Sequence, residues 1–331
     1  MRRGEGHMYQ AEKDTNPQGK CWAWVIPLML AAGEYGLRVR HRRSAVQDDS
    51  QLRPETRRHL SDPELWRKWR VVVLGDSIVH GMELPEEQTF PYLVQRHLQT
   101  YANRQDVVVI NAGIPGNTSL HGLQRLQRDV IRYQPHITLI SFGLNDANLR
   151  RRPQDVWLEK ELLPRGMGRL LHSSHIYRTA RCRLRRLVRS IRRRPSLDWD
   201  SPPEPAPRIS PPAFRAALTS MVRRLQRATS SQIFLLTTHP VRPTFLEDEG
   251  WRQKQEDILR HYNAIVRSVA GQTGVGLIDI EQLLQLIHWE DILDSDGVHL
   301  TAQGQAVLAD IISDALITVG ALDSCLLGIP V

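Results

Sequence analysis

Short apolar runs alternate with longer amphipathic stretches over most of the chain after residue 69. The runs are rich in Val, Ile and Leu, which is typical of strands buried on both faces of a parallel sheet. They lie at 70–75, 106–111, 136–142, 232–237 and 275–280. Stretches with helical spacing lie near 88–102, 119–134, 211–229, 252–270 and 301–317. This alternation predicts an α/β fold, in which helices cover both faces of a parallel sheet of about five strands.

Four short motifs occur in order along this pattern. They are Gly75-Asp76-Ser77-Ile78, Asn111-Ala112-Gly113, Gly143-Leu144-Asn145-Asp146 and Asp296-Gly297-Val298-His299. The first three stand at the ends of predicted strands, and the fourth stands in a loop before the last predicted helix. Ligands bind at the carboxyl ends of the strands in open parallel sheets, so we expect the four motifs to meet there.

These motifs supply a serine, a histidine and a carboxylate for acyl transfer. A serine hydroxyl must lose its proton to a base as it attacks, and histidine titrates near neutral pH. Ser77 is therefore the candidate nucleophile and His299 the candidate base. Asp296 precedes His299 by three residues, so one loop can present both side chains. A carboxylate in that position would hold the imidazole tautomer and stabilise the imidazolium.

The motifs also offer donors for an oxyanion hole, which stabilises the negative oxygen of a tetrahedral intermediate. Ser77 offers its own amide and Asn145 its side-chain NH₂ group. Gly113 offers an amide that a ligand can approach closely, because glycine has no Cβ. We predict that these three residues surround the same oxygen.

Other polar residues near the motifs are predicted to have structural roles. Asp76 is expected to form a turn and cap a helix, as Asp commonly does, and Asp146 is expected to be structural. His80 and His239 lie near predicted strand ends and are interpreted as polar neighbours of the site rather than as catalysts.

The motif residues resemble the signature of the SGNH (GDSL-type) hydrolase superfamily. The four hallmark residues and the third triad member of that family match Ser77, Gly113, Asn145, His299 and Asp296. The resemblance covers about residues 70–320, and Ile78 stands where the family name has Leu. It implies a flavodoxin-like three-layer αβα fold and the hydrolysis or transfer of esters, with no metal and no organic cofactor.

The resemblance leaves the substrate open, because the superfamily includes lipases, thioesterases, carbohydrate esterases and O-acyltransferases. The leading interpretation is a serine esterase that acts on a small-molecule, carbohydrate or lipid ester. One alternative is an O-acyltransferase in which a sugar hydroxyl replaces water, since both reactions use the same triad. Another is a non-catalytic, membrane-associated binding protein built on the same scaffold.

The basic charge is confined to one part of the chain. The net charge is +8, but residues 165–194 carry eleven arginines and no Asp or Glu, which leaves the remainder at −3. These arginines flank an apolar stripe within a predicted insert at 150–207. Such a basic amphipathic helix is typical of an anionic membrane surface, although a lid helix with a solvated basic rim fits equally well. Nucleic acid binding is not expected, because no recognised module accompanies the arginines.

The N-terminal part is predicted to be separate from the hydrolase domain at 70–320. The expected segments around that domain are a polar tail at 1–20, an apolar segment at 21–40, a connector at 41–69 and a C-terminal tail at 321–331. The apolar run at 21–33 is shorter than the roughly 20 residues of a membrane span, and it resembles the core of a signal peptide or an interfacial anchor. Arginines that follow this apolar run argue against export. A wrongly assigned start codon would also account for the run. We expect a membrane-associated or exported protein, with a cytoplasmic location left open.

Three cysteines, Cys21, Cys182 and Cys325, are an odd number and widely spaced, with no Cys-x-x-Cys pair and no partnered histidines. A disulfide framework or a zinc site is therefore not expected.

Overall fold

The computed structural model describes residues 51–59, 62–149, 206–244 and 249–323. Five strands form one sheet, and every paired strand is parallel. They are β1 (Trp69–Gly75), β2 (Val107–Gly113), β3 (Ile137–Ser141), β4 (Gln232–Leu236) and β5 (Gly276–Ile278). Each end lies within two residues of the predicted position, so the apolar runs predicted the strands well.

The sheet is surrounded by nine described helices. They are α1 (Pro54–His59), α2 (Ser77–His80), α3 (Phe90–Ala102), α4 (Ser119–Asp129), α5 (Leu144–Ala147), α6 (Pro211–Ala228), α7 (Glu249–Thr273), α8 (Ile280–Leu284) and α9 (Ala302–Thr318). The five long helices correspond to those predicted. Helix α4 ends five residues earlier than expected, because the backbone leaves helical geometry at Val130 before a separate 3₁₀ turn at Ile131–Tyr133.

The strand order is β2-β1-β3-β4-β5, which is the flavodoxin-like arrangement predicted. The chain switches direction across the sheet between β1 and β3, and ligands bind at such a switch point. The strand ends are level here, because Gly75 pairs with Gly113 on one side and with Ser141 on the other. Ser77 and Asn145 follow the two strands that flank the switch point.

Both faces of the sheet are packed, which gives the predicted three-layer αβα sandwich. In β1, Val72 and Leu74 belong to a core with α4, α6 and α7, whereas Val71 and Val73 belong to a core with α3, α8 and α9. Because alternate side chains enter opposite cores, a strand of this kind needs apolar residues at every position. This explains the uninterrupted run in the sequence.

The folded unit extends beyond the boundaries predicted for the domain. Leu52 and Thr56 from the predicted connector are buried, and the Thr56 hydroxyl donates to the Asn111 carbonyl at 2.7 Å. At the other end, Ala321 and Leu322, just beyond the predicted boundary at 320, are buried in the same core as residues of α9. The remaining predictions for 1–50, for most of the insert and for 324–331 lie outside the described residues, as do the three cysteines.

Among the described helices, none has both the length and the apolar composition required to cross a bilayer.

Candidate active site

Three side chains from two distant parts of the sequence meet where β1 passes into α2. Ser77 is the first residue of α2 and is largely buried. His299, which is 222 positions later, places its Nε2 atom 3.0 Å from Ser77 Oγ. Its Nδ1 atom lies 2.6 Å from Asp296 Oδ2. The predicted nucleophile, base and carboxylate thus form one continuous chain of hydrogen bonds.

The carboxylate of Asp296 is held by the loop that carries it. Its Oδ1 atom accepts hydrogen bonds from the backbone N–H groups of Val298 and His299, at 2.8 and 2.9 Å. Partial burial by itself raises the pKa of Asp296, but these N–H donors and the His299 side chain outweigh it and hold the pKa below its ordinary value. An ionised Asp296 binds the proton on His299 Nδ1, which leaves Nε2 to accept from the serine hydroxyl.

A second loop, which follows β4, supports the loop that carries Asp296 and His299. The Arg242 backbone N–H donates to the Gly297 carbonyl at 2.8 Å, and His239 Nε2 lies 2.8 Å from the Val298 carbonyl. The two loops pack so closely that a Cβ on Gly297 would lie 1.9 Å from the Arg242 oxygen. Gly297 also has a φ of +69°, a conformation that L side chains rarely adopt.

His239 has a more specific place than the sequence indicated. A carbonyl can only accept, so the His239 Nε2 atom carries a proton and donates to Val298. Complete burial lowers the pKa of His239 to about 4, and the bond to Val298 offsets only part of that effect. A neutral imidazole beneath the base therefore fixes the backbone beside His299. This role depends on a contact between two loops, which no local pattern reveals.

Asn145 lies in α5, directly after β3, and its side chain is held from both ends. Its Nδ2 atom donates to Asp76 Oδ2 at 3.2 Å, and its Oδ1 atom accepts from Arg208 Nη1 at 3.2 Å. Arginine can only donate and an ionised carboxylate can only accept, so these partners determine which end of the amide carries the protons. The structure therefore places Asn145 one hydrogen bond away from the helix cap that precedes Ser77.

Asp76 caps α2, as predicted, and also contacts the predicted oxyanion residue. Its Oδ1 atom accepts from the Ile78 backbone N–H at 3.0 Å, and its Oδ2 atom accepts from Asn145. Burial raises the pKa of Asp76 to about 6, although the bonds from Ile78 and Asn145 and the nearby His299 work in the opposite direction.

The amide of Gly113, which the sequence analysis predicted to lie in the oxyanion hole, is bound within its own strand end. Its N–H donates to Asn111 Oδ1 at 3.0 Å, so this amide already has an acceptor. A Cβ at Gly113 would lie 2.2 Å from the backbone nitrogen of His80. The glycine is therefore required because α2 packs directly on the end of β2. Its bound amide argues against the oxyanion role predicted for Gly113.

Gly116 is linked to Asn145 through a shared partner, Arg208. Residues 114–117 form a turn closed by a bond from the Asn117 N–H to the Ile114 carbonyl at 3.2 Å, with Gly116 at φ +73°. Proline followed by such a glycine is typical of a type II turn. Arg208 Nη1, which binds Asn145, also donates to the Gly116 carbonyl at 3.2 Å. A Pro-Gly pair was the sequence signal for this turn.

An open cleft of about 220 Å³ lies beside Ser77 and His299. Its apolar lining residues are Leu144, Val241, Pro243, Leu259 and Val298. Its polar lining residues outside the predicted site are Asn148, Arg208 and Gln255. The cleft thus offers an apolar wall for an acyl or alcohol group next to polar groups that can orient it.

The remaining polar residues that the sequence singled out are placed as follows. Asp146 has both carboxylate oxygens bound to Ser119, and burial raises its pKa to about 7. This agrees with the structural role predicted for it. The carbonyl of His80 accepts from Arg53, and none of the described hydrogen bonds joins the His80 imidazole to Ser77. No catalytic function follows from either residue.

Parts of this chain are similar in sequence to known proteins. A curated arylesterase from Vibrio mimicus is 39% identical over 87 residues, which are 26% of this chain and 42% of that protein. Thioesterase 1/protease 1/lysophospholipase L1 from Escherichia coli strain K12 is 32% identical over 84 residues, which are 25% of this chain and 38% of that protein. The matched region therefore spans less than half of the length of either relative.

The fold resemblance extends further. The crystal structure of a lipase/acylhydrolase from Enterococcus faecalis superimposes with a TM-score of 0.50 at 21% identity, covering 75% of this chain and 94% of that chain. At this identity the superposition supports the fold alone. Residues 73–307 match the GDSL-like lipase/acylhydrolase family, and this region contains all four motifs. The chain belongs to the GDSL-like lipase/acylhydrolase family.

Proposed function

We propose that the protein is a serine esterase in which Ser77 is the nucleophile, His299 the general base and Asp296 the carboxylate that orients the base. The observation that carries this proposal is the pair of contacts at His299, 3.0 Å to Ser77 Oγ and 2.6 Å to Asp296 Oδ2. A nucleophile, a base and an orienting group within hydrogen-bond reach are what acyl transfer by serine requires. The names of the curated relatives, an arylesterase and a thioesterase, support the same class of reaction.

The reaction follows from these contacts. Ser77 Oγ attacks the ester carbonyl carbon while His299 Nε2 takes the hydroxyl proton. The resulting imidazolium gives that proton to the alkoxy oxygen of the substrate. The alcohol then departs, and the acyl group remains bound to Ser77. His299 then takes a proton from a water molecule, which attacks the acyl carbon to form a second intermediate. This intermediate collapses to a carboxylic acid as His299 Nε2 returns the proton to Ser77 Oγ, which regenerates the free serine. The ionised Asp296 stabilises the imidazolium in both halves of the cycle.

We propose three hydrogen-bond donors for the oxyanion: Ser77 and Asn145, as predicted from the sequence, and Gly116 in place of Gly113. The Ser77 N–H is the first of α2, so it has no acceptor within the helix. Asn145 Nδ2 has a second proton besides the one it donates to Asp76. Among the described residues, none accepts a hydrogen bond from the Gly116 N–H, and its turn is tied to Asn145 through Arg208. We assign the third position to Gly116.

The size of the cleft favours a substrate with a short acyl group. Its volume of about 220 Å³ is below the roughly 300–1,000 Å³ of sites that enclose drug-sized ligands. Five apolar side chains line it, so an acetyl or similarly short chain fits better than a long one. The substrate would be a small-molecule ester, or a carbohydrate or lipid ester of which only the reacting end enters the cleft.

Steady-state hydrolysis of p-nitrophenyl esters of increasing acyl length tests this proposal. We expect turnover that declines from short to long acyl groups and is abolished in Ser77→Ala and His299→Ala. Because the triad acts as a unit, the double variant should be little worse than either single variant. Ser220→Ala is the matched control, since Ser220 lies in α6 and does not line the cleft. Normal turnover by folded Ser77→Ala protein would overturn the proposal.

A further inference from the structure

Arg208 is a buried cation at the wall of the cleft. Its residue is only 2% exposed, yet it lines the same cleft as Ser77 and Asn145. Its Nη1 atom donates to two oxygens, Asn145 Oδ1 and the Gly116 carbonyl, both at 3.2 Å. Burying a guanidinium destabilises the fold unless its N–H groups find acceptors. The oxygens of Asn145 and Gly116 are two such acceptors for Arg208.

The backbone of Arg208 is fixed beside the helix that carries Asn145. The Arg208 N–H donates to the Asn148 carbonyl at 2.9 Å, and the Ile209 N–H donates to the Asp146 carbonyl at 3.1 Å. The Tyr262 hydroxyl donates to the Ile209 carbonyl. These bonds return the chain to α5 after the insert, which explains why a residue 63 positions later contacts Asn145.

The amide of Asn145 thus stands between a carboxylate and a guanidinium. Asp76 binds one Nδ2 proton, and Arg208 binds the oxygen at the other end. A cationic donor on Oδ1 draws electron density from the amide, which makes the remaining Nδ2 proton a stronger donor because hydrogen bonds in a chain polarise one another. It also prevents the amide from rotating to present its oxygen to the reaction.

We propose that Arg208 is a positioning residue for ester hydrolysis, which acts through Asn145 by fixing and polarising the amide that stabilises the oxyanion. The same guanidinium ties the Gly116 turn to Asn145, so two of the proposed donors keep a fixed separation. This inference rests on the proposed serine esterase function. Arg208 does not itself touch the reacting atoms, and its contribution therefore depends on the presence of the Asn145 side chain.

A double-mutant cycle between Arg208→Met and Asn145→Ala tests this dependence. The kcat and KM values for p-nitrophenyl acetate are measured per active site, counted by complete titration with a fluorophosphonate, so that unfolded protein does not contribute. Hydrogen bonds to charged groups are stronger than those between neutral groups, so Arg208→Met should lower kcat about tenfold. KM should change by less than about twofold, because Arg208 acts on the transition state through Asn145. In the Asn145→Ala background the same substitution should lower kcat by less than about twofold.

Two further variants make the result interpretable. Arg208→Lys keeps a charged donor and should recover part of the lost kcat; if Arg208→Met does not fold, the lysine variant is compared in both Asn145 backgrounds instead. Arg215→Met is the matched control, because Arg215 donates to Ser268 Oγ at 2.9 Å and does not line the cleft. It should leave kcat unchanged.

An equal loss of kcat with and without the Asn145 side chain would overturn the inference. So would an effect confined to KM, which would indicate that Arg208 binds part of the substrate. Either result is compatible with a serine esterase. Full activity of Ser77→Ala would instead refute the proposed function, so the two failures are distinguishable.

Discussion

His239 donates from Nε2 to the carbonyl of Val298 at 2.8 Å, one residue before the proposed base. The imidazole is fully buried and neutral, because burial lowers the pKa of His239 to about 4. The position of His299 therefore depends on a second histidine that does not take part in the chemistry. The loop after β4 and the loop that carries Asp296 act as one unit.

Replacing His239 by leucine should lower both stability and kcat. The Val298 carbonyl would lose its donor, and an unsatisfied buried carbonyl costs about 1–3 kcal/mol. We expect a lower midpoint of thermal unfolding and a lower kcat, with KM less affected. His261→Leu is the control, because His261 is exposed on α7. An unchanged midpoint and kcat would show that the His239 bond does not support the loop.

The effect of His239→Leu should also depend on pH. His239 has a folded pKa of about 4 against an ordinary value of 6.5, so the unfolded chain binds more protons between these values. The histidine therefore stabilises the fold less as pH falls from about 6.5 towards 4. The difference in the free energy of unfolding between the wild type and His239→Leu, measured by urea at several pH values, should shrink over this interval. A constant difference would contradict the assignment of a neutral buried imidazole.

Replacing Asn145 by alanine should affect the transition state more than substrate binding. Loss of one oxyanion donor typically lowers kcat by about 10²–10³. KM should change much less, because the donor is engaged mainly when the oxygen becomes negative. Asn145→Asp should be at least as damaging, since it places a second carboxylate beside Asp76. Measured kcat and KM for p-nitrophenyl acetate check this, and a loss seen only in KM would exclude Asn145 from the oxyanion hole.

Substitutions at Gly113 and Gly116 should have different consequences. In Gly113→Ala the new Cβ would lie 2.2 Å from the His80 backbone nitrogen, so we expect a large loss of thermal stability. In Gly116→Ala no atom lies within 4 Å of the Cβ, and only the positive φ opposes alanine, at a cost of about 1–2 kcal/mol. Unfolding midpoints and kcat separate the two cases. A stable Gly113→Ala protein with kcat reduced about 10²-fold would restore Gly113 to the oxyanion hole.

The strands, and the contact between Asp296 and His299, were predictable because their signals are local. A run such as Val71-Val72-Val73-Leu74 must be buried on both sides, and Asp296 and His299 are close enough in sequence to share one loop. The short helices α2 and α5 could not be predicted from periodicity, since a single turn contains too few residues to repeat. Their positions follow from strand ends and caps such as Asp76.

The contacts that support the site could not be predicted in the same way. Whether the amides of Gly113 and Gly116 are bound within the protein depends on the turn at 114–117 and on the packing of α2 against β2. Arg208 reaches Asn145 only because the chain returns to α5 after the insert. His239 reaches Val298 only because two loops pack against each other. All three relationships are tertiary.

The arginine-rich insert lies outside the described residues, so its interaction with a membrane remains a prediction from sequence. We expect the full chain to co-sediment with vesicles that contain anionic lipid, because each arginine near such a surface contributes about 1 kcal/mol. Binding should weaken at raised salt and when Arg185, Arg186 and Arg189 are replaced by Glu. Absence of binding to neutral and anionic vesicles alike would favour the alternative of a lid helix with a solvated rim.

The central claim is that Ser77 is a nucleophile activated by His299, and covalent labelling followed by peptide mass spectrometry tests it most directly. A fluorophosphonate reacts with an activated serine and marks the residue that attacks. The account predicts one adduct per chain, located on Ser77, with labelling lost in His299→Ala. An adduct on another serine, or no adduct on folded protein that hydrolyses esters, would contradict it.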